Sequence, residues 1–194
     1  MLDAIAHLTQ VVHRYSALSK ESLGLYLDAC KVQHLKKGQL LYRIGEIPTS
    51  FAFIHQGLMR SYVVDERGNE FNKNFFAEGR FPGCMSALLQ GTPTLLAIEA
   101  LEDCVLIEID FKLFRSALLT KPDLMIYQIN YLETHWLLEK EQKEIEYLQF
   151  DAKQRYLAFL DTHKAIISRL TQYHIASYLG ITPTQLSRVR KDLK

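Results

Sequence analysis

The 194-residue chain has little cysteine, no long hydrophobic run and a net charge of only +1. Its three cysteines lie far apart without metal-site spacing, which argues against a disulfide framework and favours reduced thiols. No run of about eighteen uncharged apolar residues occurs, so a membrane-spanning helix is not expected. The first residues also lack a basic region followed by an apolar run. We therefore expect a cytoplasmic protein with no membrane partner.

Catalytic and metal-binding groups are equally scarce. The seven histidines include no close pair of metal-ligand type, and no cysteine cluster suits an iron–sulfur centre. No nucleophile lies beside a candidate base, so an enzyme is the weakest of the functional classes considered. We expect neither a metal nor a cofactor.

The near-neutral net charge conceals an uneven distribution. Residues 1–150 carry 15 basic and 19 acidic side chains, whereas residues 151–194 carry 8 basic and 3 acidic ones. A basic segment on a mildly acidic body is what phosphate binding requires, although surface helices are also basic for solubility. The charge pattern thus permits nucleic-acid binding without establishing it.

Apolar periodicity predicts an α+β fold. Two short amphipathic helices are predicted in the first thirty residues, and short apolar runs separated by glycine-containing turns follow. The predicted strands cover residues 40–42, 51–54, 58–64, 71–76, 95–100 and 105–109. Evenly spaced short strands of this kind favour a closed antiparallel roll.

A long helix is predicted from about residue 123 to residue 147, a stretch without glycine or proline. At 1.5 Å per residue it would be about 37 Å long, too long to be covered by one small roll. We therefore expect it to pair with its own copy in a homodimer, the alternative being a helix that packs only on its own sheet. An apolar seam at 4-3-4 spacing would form the dimer contact: Met125, Ile129, Leu132 and Trp136.

The last twenty-five residues predict a helix-turn-helix. Gly180 permits the positive φ of a tight turn, Thr182 can cap the following helix, and Pro183 suits its first position. Leu186, Val189 and Leu193 would form the inward stripe of that helix. The predicted DNA-binding residues are Thr182, Thr184, Gln185, Ser187, Arg188, Arg190 and Lys191, and we call the last six the recognition face.

Each part of such a face has an expected role. Arg188 could pair bidentately with guanine and Gln185 with adenine, or either could bind the backbone, while Lys191 would hold a phosphate. A structural helical hairpin without DNA binding is the alternative.

Three stretches together resemble the Crp/Fnr family of bacterial transcription regulators: residues 37–46, residues 53–57 and the helix-turn-helix at 175–193. The resemblance covers nearly the whole chain. It implies an effector-type roll with flanking helices over residues 1–120, a dimerisation helix over 121–150 and a DNA-binding domain over 151–194. It also implies sequence-specific binding to double-stranded DNA by a homodimer, with RNA polymerase as a further partner.

The chain departs from the pattern of cyclic-nucleotide binders in that family. Cys84 stands in place of the ribose-binding glutamate, Thr94 and Leu95 replace the phosphate-binding arginine and its hydroxyl neighbour, and Glu139 and Lys140 replace the pair that meets adenine. Because a buried phosphate needs a cationic or amide-rich partner, cyclic AMP is not expected as the ligand. The tentative pocket for an unidentified effector comprises Gly83, Cys84, Met85, Thr94, Leu95, Tyr131 and His135.

Several alternatives remain open at this stage. Cys84 is either a redox-sensitive thiol or a buried filler, and Tyr131 and His135 either line the pocket or pack in the core. Arg60 and Arg80 either hold an anion or are solvated. The family's β-hairpin wing is expected to be absent because the sequence stops at Lys194, and only Arg188 carries over from the family's recognition helix. The competing function is a ligand-sensing or protein-interaction module that does not bind DNA directly.

Overall fold

Seven short strands build two antiparallel sheets in the computed structural model, which describes residues 2–193. One sheet has the order β1-β7-β3 and the other the order β2-β6-β4-β5. The strands are β1 (Cys30–Leu35), β2 (Leu40–Tyr42), β3 (Ser50–Gln56), β4 (Met59–Val64), β5 (Glu70–Phe76), β6 (Ala97–Ala100) and β7 (Cys104–Asp110).

Alternating side chains of β3 enter two different cores. Ala52 and Ile54 point between the sheets, whereas Phe51 and Phe53 point to the outer face, where helices cover them. Since both faces of this strand are covered, it reads as a continuous apolar run. The fold class predicted from the sequence, a roll with flanking helices, is confirmed.

The covering helices come from both sides of the roll in the sequence. They are α1 (Leu2–His13), α2 (Lys20–Asp28), α4 (Phe111–Leu118) and α5 (Pro122–Leu132). Asp110 caps α4, because the backbone N–H of Leu113 donates to its Oδ1 at 2.8 Å. A further short helix, α3 (Met85–Gln90), lies within the roll.

The long helix is continuous but not uniform. A π-helical turn (Glu133–Leu138) joins α5 to α6 (Glu139–Gln149). Side chains four residues apart face the roll along it, from Tyr131 through His135 and Glu139 to Lys143. In a regular α-helix that spacing drifts around the axis, and a wider π turn reduces the drift. The turn therefore keeps these groups on one side.

We define the head as α7 (Ala152–Thr162), α8 (Gln172–Leu179) and α9 (Pro183–Lys191), together with the segments that join them. The head shares a core with the roll. Leu58, Phe75 and Leu101 of the roll pack with head residues that include Phe159 and Leu186. Asp151 caps α7 through its side chain, which accepts from Gln154 N at 2.8 Å. Head and roll are thus joined by apolar contact as well as by the long helix.

The sequence pattern did not predict β1 or α3. β1 is a partly exposed edge strand without a continuous apolar run, and α3 is too short to show periodicity. Leu95 lies outside β6 and is 80% exposed, and Leu193 lies beyond α9 and is exposed rather than inward. The division into residues 1–120, 121–150 and 151–194 stays a prediction.

None of the helices within residues 2–193 combines the length and the apolar content that crossing a membrane requires.

Candidate nucleic-acid interface

The turn between α8 and α9 has the geometry that its sequence predicts. Gly180 adopts a left-handed conformation with φ of +67°, and its N–H donates to the last turn of α8. The N–H of Ile181 then donates to the carbonyl of Ala176 at 3.1 Å. Ala176 is fully buried at the crossing of the two helices. These contacts fix the direction in which α9 leaves the turn.

A capping box starts α9. The hydroxyl of Thr182 accepts from Gln185 N at 3.2 Å, and Gln185 Oε1 accepts from Thr182 N at 2.8 Å. Because its amide oxygen is engaged there, Gln185 could read adenine bidentately only if the box opened. The sequence pattern identified the cap but missed its competition with base reading.

The recognition face points away from the rest of the molecule. Leu186 anchors α9 in the shared core with no exposed surface, while all six residues of the face are exposed. Among the described residues, no carboxylate oxygen lies within 4.0 Å of the cationic groups of Arg188, Arg190 and Lys191. The face is therefore free to meet an anionic surface.

The other side of the head is bonded to the roll. Asn72 on β5 donates its backbone N–H to Ser177 Oγ at 2.9 Å and its side-chain amide to the His174 carbonyl at 3.0 Å. Ser177 Oγ in turn donates to the Glu70 carbonyl at 2.7 Å. Thus α8 covers the edge of the roll, and α9 takes no part in these hydrogen bonds.

Arg60 lies beneath this junction and is 4% exposed. Its guanidinium binds Glu99 at 2.6 Å and Glu70 at 2.7 Å, and it stacks over the Tyr62 ring at 4.0 Å. Both interpretations of Arg60 from the sequence, an anion site and a solvated surface residue, are wrong, because the carboxylates of Glu70 and Glu99 are paired with its guanidinium. The side chain acts as a structural link of the roll.

A second set of bonds joins the long helix to the roll. His135 lies between Tyr15, whose hydroxyl is 2.6 Å from Nε2, and Glu139, whose Oε1 is 2.6 Å from Nδ1. Arg80 donates to Glu139 at 2.9 Å and 3.1 Å. The contacts with Tyr15 and Glu139 are satisfied if Nδ1–H donates to Glu139 and Nε2 accepts from the Tyr15 hydroxyl. Arg80 Nη1, 2.9 Å from the same Nδ1, then donates to Glu139 rather than to the imidazole. Like Arg60, Arg80 is therefore paired with a carboxylate, which the sequence pattern did not predict.

These bonds hold Glu139 ionised. Burial alone would raise the pKa of its carboxyl, but hydrogen bonds from His135 and Arg80 outweigh burial and lower that pKa to about 2. The i, i+4 repeat of polar and aromatic groups along the helix is the sequence signal that could have identified the helix side of this network, though not its partners Tyr15 and Arg80.

The residues of the tentative effector pocket fall into two groups. Cys84 and Thr94 are buried between the sheets near the Leu96 carbonyl, which the Thr94 hydroxyl bonds at 3.2 Å. Burial raises the pKa of the Cys84 thiol, which supports its interpretation as a filler rather than a reactive thiolate.

Gly83 packs so closely that an added Cβ would lie 2.7 Å from Phe51 Cβ. Met85 lies nearby on α3, and exposed Leu95 does not join the group.

The second group lies on the long helix. Tyr131 is buried against the Phe81 ring at 5.3 Å, and His135 belongs to the bonded network with Tyr15. A cavity lies where the roll and the long helix meet the head, and neither side chain lines it. The other five residues of the tentative pocket do not line it either. The effector pocket stays a prediction, and packing explains the position of Tyr131.

The predicted dimer seam is exposed along its whole length. Met125 and Leu132 are each 37% exposed, Trp136 43% and Ile129 53%. Leu148, farther along the same helix, is 86% exposed. An apolar stripe of this extent on one helix is typical of a surface that another chain covers.

We expect the junction between head and roll to lose stability in acid because of His163. Burial, together with the Lys143 ammonium, lowers the pKa of His163 to about 4. The unfolded chain, with a histidine pKa of about 6.5, takes up the proton first, so stability is full above that pH and falls on the order of 1–3 kcal/mol as pH drops toward 4. In His163→Gln this component should vanish from urea unfolding measured between about pH 7 and pH 4.5.

The matched control for that measurement is His13→Gln, since His13 is exposed at the end of α1. The control should keep the acid sensitivity of the parent chain. An equal loss of stability in His163→Gln and in the parent would contradict the assignment.

Comparisons with known proteins agree with this architecture. The sequence profile of the cyclic nucleotide-binding domain matches residues 32–121. The chain is 25% identical over 166 residues to the anaerobic regulatory protein of Aggregatibacter actinomycetemcomitans, covering 80% of this chain and 63% of that one. It is 24% identical over 106 residues to the cAMP-activated global transcriptional regulator CRP of Pasteurella multocida, covering 55% and 51%. The chain thus spans about half to two thirds of the length of these relatives.

A solved structure shows the same fold. The c-di-GMP responsive global regulator CLP of Xanthomonas campestris superposes with a TM-score of 0.72 over 90% of this chain and 91% of that one, at 17% identity.

Proposed function

We propose that this chain, which carries the cyclic nucleotide-binding domain found in CRP/FNR-type regulators, is a homodimeric, sequence-specific DNA-binding regulator of transcription. The observation that carries the proposal is the exposed recognition face, whose cationic groups have no carboxylate partner in the described chain. A basic helix held at a fixed angle by a capped turn is the arrangement by which a helix-turn-helix enters the major groove. Its exposure favours DNA binding over a module whose terminal helices only pack on the roll.

The dimer follows from the exposed seam. If the seams of two copies pair, the two heads are held together and their recognition faces can meet successive turns of DNA, as on a pseudo-palindromic site. RNA polymerase as a further partner rests on the resemblance to the family.

Control by cyclic AMP is not part of the proposal. Where the resemblance places the phosphate and ribose contacts, Thr94 and Cys84 are buried among apolar groups and neither is charged. The nearby cation, Arg80, is bonded to Glu139, which itself stands where an adenine contact would be. To bind Arg80, a cyclic phosphate would have to displace Glu139 from this half-buried ion pair.

Selecting DNA from a random pool tests the function, and two variants test the face. Arg188→Ala should relax sequence preference by about 1–3 kcal/mol at one base pair, because a bidentate base contact is lost. Lys191→Ala should weaken binding to all sequences alike and reduce the slope of log K against log salt by about 1.

Lys164→Ala is the matched control, because Lys164 is exposed in the head but pairs with Asp161 away from the recognition face. It should leave both affinity and salt slope unchanged. Failure of the parent chain to enrich any sequence at moderate salt would overturn the proposed function.

A further inference from the structure

None of the recognition-face residues lines the cavity at the junction of roll, long helix and head. Its volume is about 330 Å³, within the range of sites for small ligands. Its walls come from β5, α6, α7 and α8. A molecule bound there would therefore touch all three parts of the chain at once.

Four aromatic rings, packed against one another in two stacked pairs, form one wall of this cavity. Phe75 of the roll stacks on Tyr178 of the head with ring centres 5.4 Å apart and planes at 30°. Phe159 stacks on His163 at 4.3 Å and 18°, and the Phe159 and Tyr178 centres are 5.2 Å apart, so the four rings form one cluster. An aromatic wall of this kind favours a planar or aromatic ligand, because such rings gain contact area with little loss of conformational freedom.

The cavity also carries cationic groups with unused bonding capacity. Arg80 is neutralised by Glu139, but Lys143 and Arg155 have no carboxylate oxygen within 4.0 Å among the described residues. Lys143 Nζ donates to Asn74 Oδ1 at 2.9 Å, and Arg155 donates one guanidinium N–H to the Phe150 carbonyl at 2.8 Å. The Arg155 Nε group is buried without any partner.

A buried donor of this kind calls for an acceptor, since burying it unbonded is costly. Apart from Glu139, Glu146 is the one carboxylate in the lining. Because the charges of Arg80 and Glu139 cancel, Lys143, Arg155 and Glu146 leave the lining with one net positive charge when His163 is neutral. Burial lowers the pKa of the Lys143 ammonium, and an anion placed beside it would restore that pKa. The lining thus matches a ligand with one negative charge.

We propose that this cavity binds a small aromatic carboxylate, with its ring against the aromatic wall and its carboxylate facing Arg155 and Lys143. Bound there, the ligand bridges the roll, the long helix and the head and limits the movement of one against another. Its influence on DNA affinity rests on the proposed function, whereas the binding itself does not. The site is separate from the tentative effector pocket, none of whose seven residues lines it.

Calorimetry and thermal unfolding of the full chain test the site with benzoate, phenylacetate and indole-3-acetate at millimolar concentration. Their uncharged amides serve as ligand controls of the same shape. At least one carboxylate should bind and raise the Tm, and its amide should bind at least about tenfold more weakly, because a charge-assisted hydrogen bond is lost. If no carboxylate binds, or amides bind as well, the proposal is overturned.

Three variants locate the binding. Arg155→Gln and Lys143→Gln should each weaken it about tenfold or more, and Ala165→Trp should abolish it by filling the cavity, since Ala165 lies in the lining. Lys153→Gln is the matched control, because Lys153 is exposed on the same helix as Arg155. Circular dichroism checks that each variant folds, and Ala165→Trp tests the site without removing a bond. Binding that survives all three changes lies elsewhere and overturns the proposal.

DNA affinity measured with and without the bound carboxylate separates the two proposals. If the carboxylate binds at this site and no DNA sequence is enriched, the proposed function fails and the ligand site stands. If DNA binds and no carboxylate does, the ligand site fails alone. A change in DNA affinity that disappears in Ala165→Trp supports the coupling of ligand site to head, and an unchanged affinity overturns that coupling.

Discussion

A chain carrying Ile129→Glu and Trp136→Glu is expected to be monomeric and to bind a palindromic DNA site about 10²- to 10⁴-fold more weakly than the parent. Both side chains belong to the exposed seam. Burying apolar side chains of this size contributes about 1.5–3 kcal/mol each, and both copies lose them together. Like charges would then face each other across the dimer axis. The heads would bind singly, without the effective concentration that linkage provides.

Analytical ultracentrifugation should report the change in mass, and fluorescence anisotropy the change in DNA affinity. A single half-site should be bound almost equally by the variant and the parent, because each recognition face is intact. The matched control is Leu95→Glu with Leu113→Glu, which places two glutamates at exposed leucines outside the long helix. A variant that remains dimeric would show that the seam is not the interface. A monomer with full affinity for the palindrome would show that DNA binding does not need the dimer.

The roll and the helix-turn-helix could be predicted from the sequence because local signals there agree with the tertiary structure. Gly180 and Thr182 fulfil in the structure the roles that their chemistry predicts, and β3 and β7 lie where apolar runs are bounded by turns. In these segments periodicity, capping and turn chemistry indicate the same element. Such agreement identifies elements even without knowledge of what they pack against.

The contacts at the junction could not be predicted in the same way. Arg60 and Glu99 are 39 residues apart in the chain, Arg80 and Glu139 are 59 apart, and Asn72 and Ser177 are 105 apart. No local sequence pattern indicates such pairs, since each residue taken alone would be predicted to be a solvated surface group. The exposed recognition face was predictable because it depends on one helix, whereas the cavity depends on four elements meeting.

Gly57→Ala is expected to destabilise the chain by about 2–5 kcal/mol and to lower the Tm by about 5–15 °C. Gly57 has φ of +106° in the turn between β3 and β4, which side chains rarely adopt. An added Cβ would also lie 2.5 Å from Cys104 Sγ and 2.9 Å from the Asp103 carbonyl oxygen. The backbone carbonyl cannot turn aside as a flexible side chain could.

The same turn supports the head. Gly57 donates its N–H to Glu78 Oε1 at 2.9 Å, and that carboxylate is bonded by Arg169 from the head at 3.0 Å. Leu58, the next residue, lies in the core that roll and head share. A turn displaced to make room for the methyl group should therefore weaken the hold on the head as well as the packing of the roll.

Gly38→Ala separates conformational strain from collision. Gly38 also has a positive φ, of +82°, but an added Cβ there meets nothing within 4 Å. Its variant should lose only about 1 kcal/mol, the cost of placing alanine in the left-handed region. Urea unfolding of both variants gives the difference, which isolates the contact with Cys104 and Asp103. Equal losses in the two would mean that the β3–β4 turn moves aside freely, and that Gly57 is required for its backbone conformation alone.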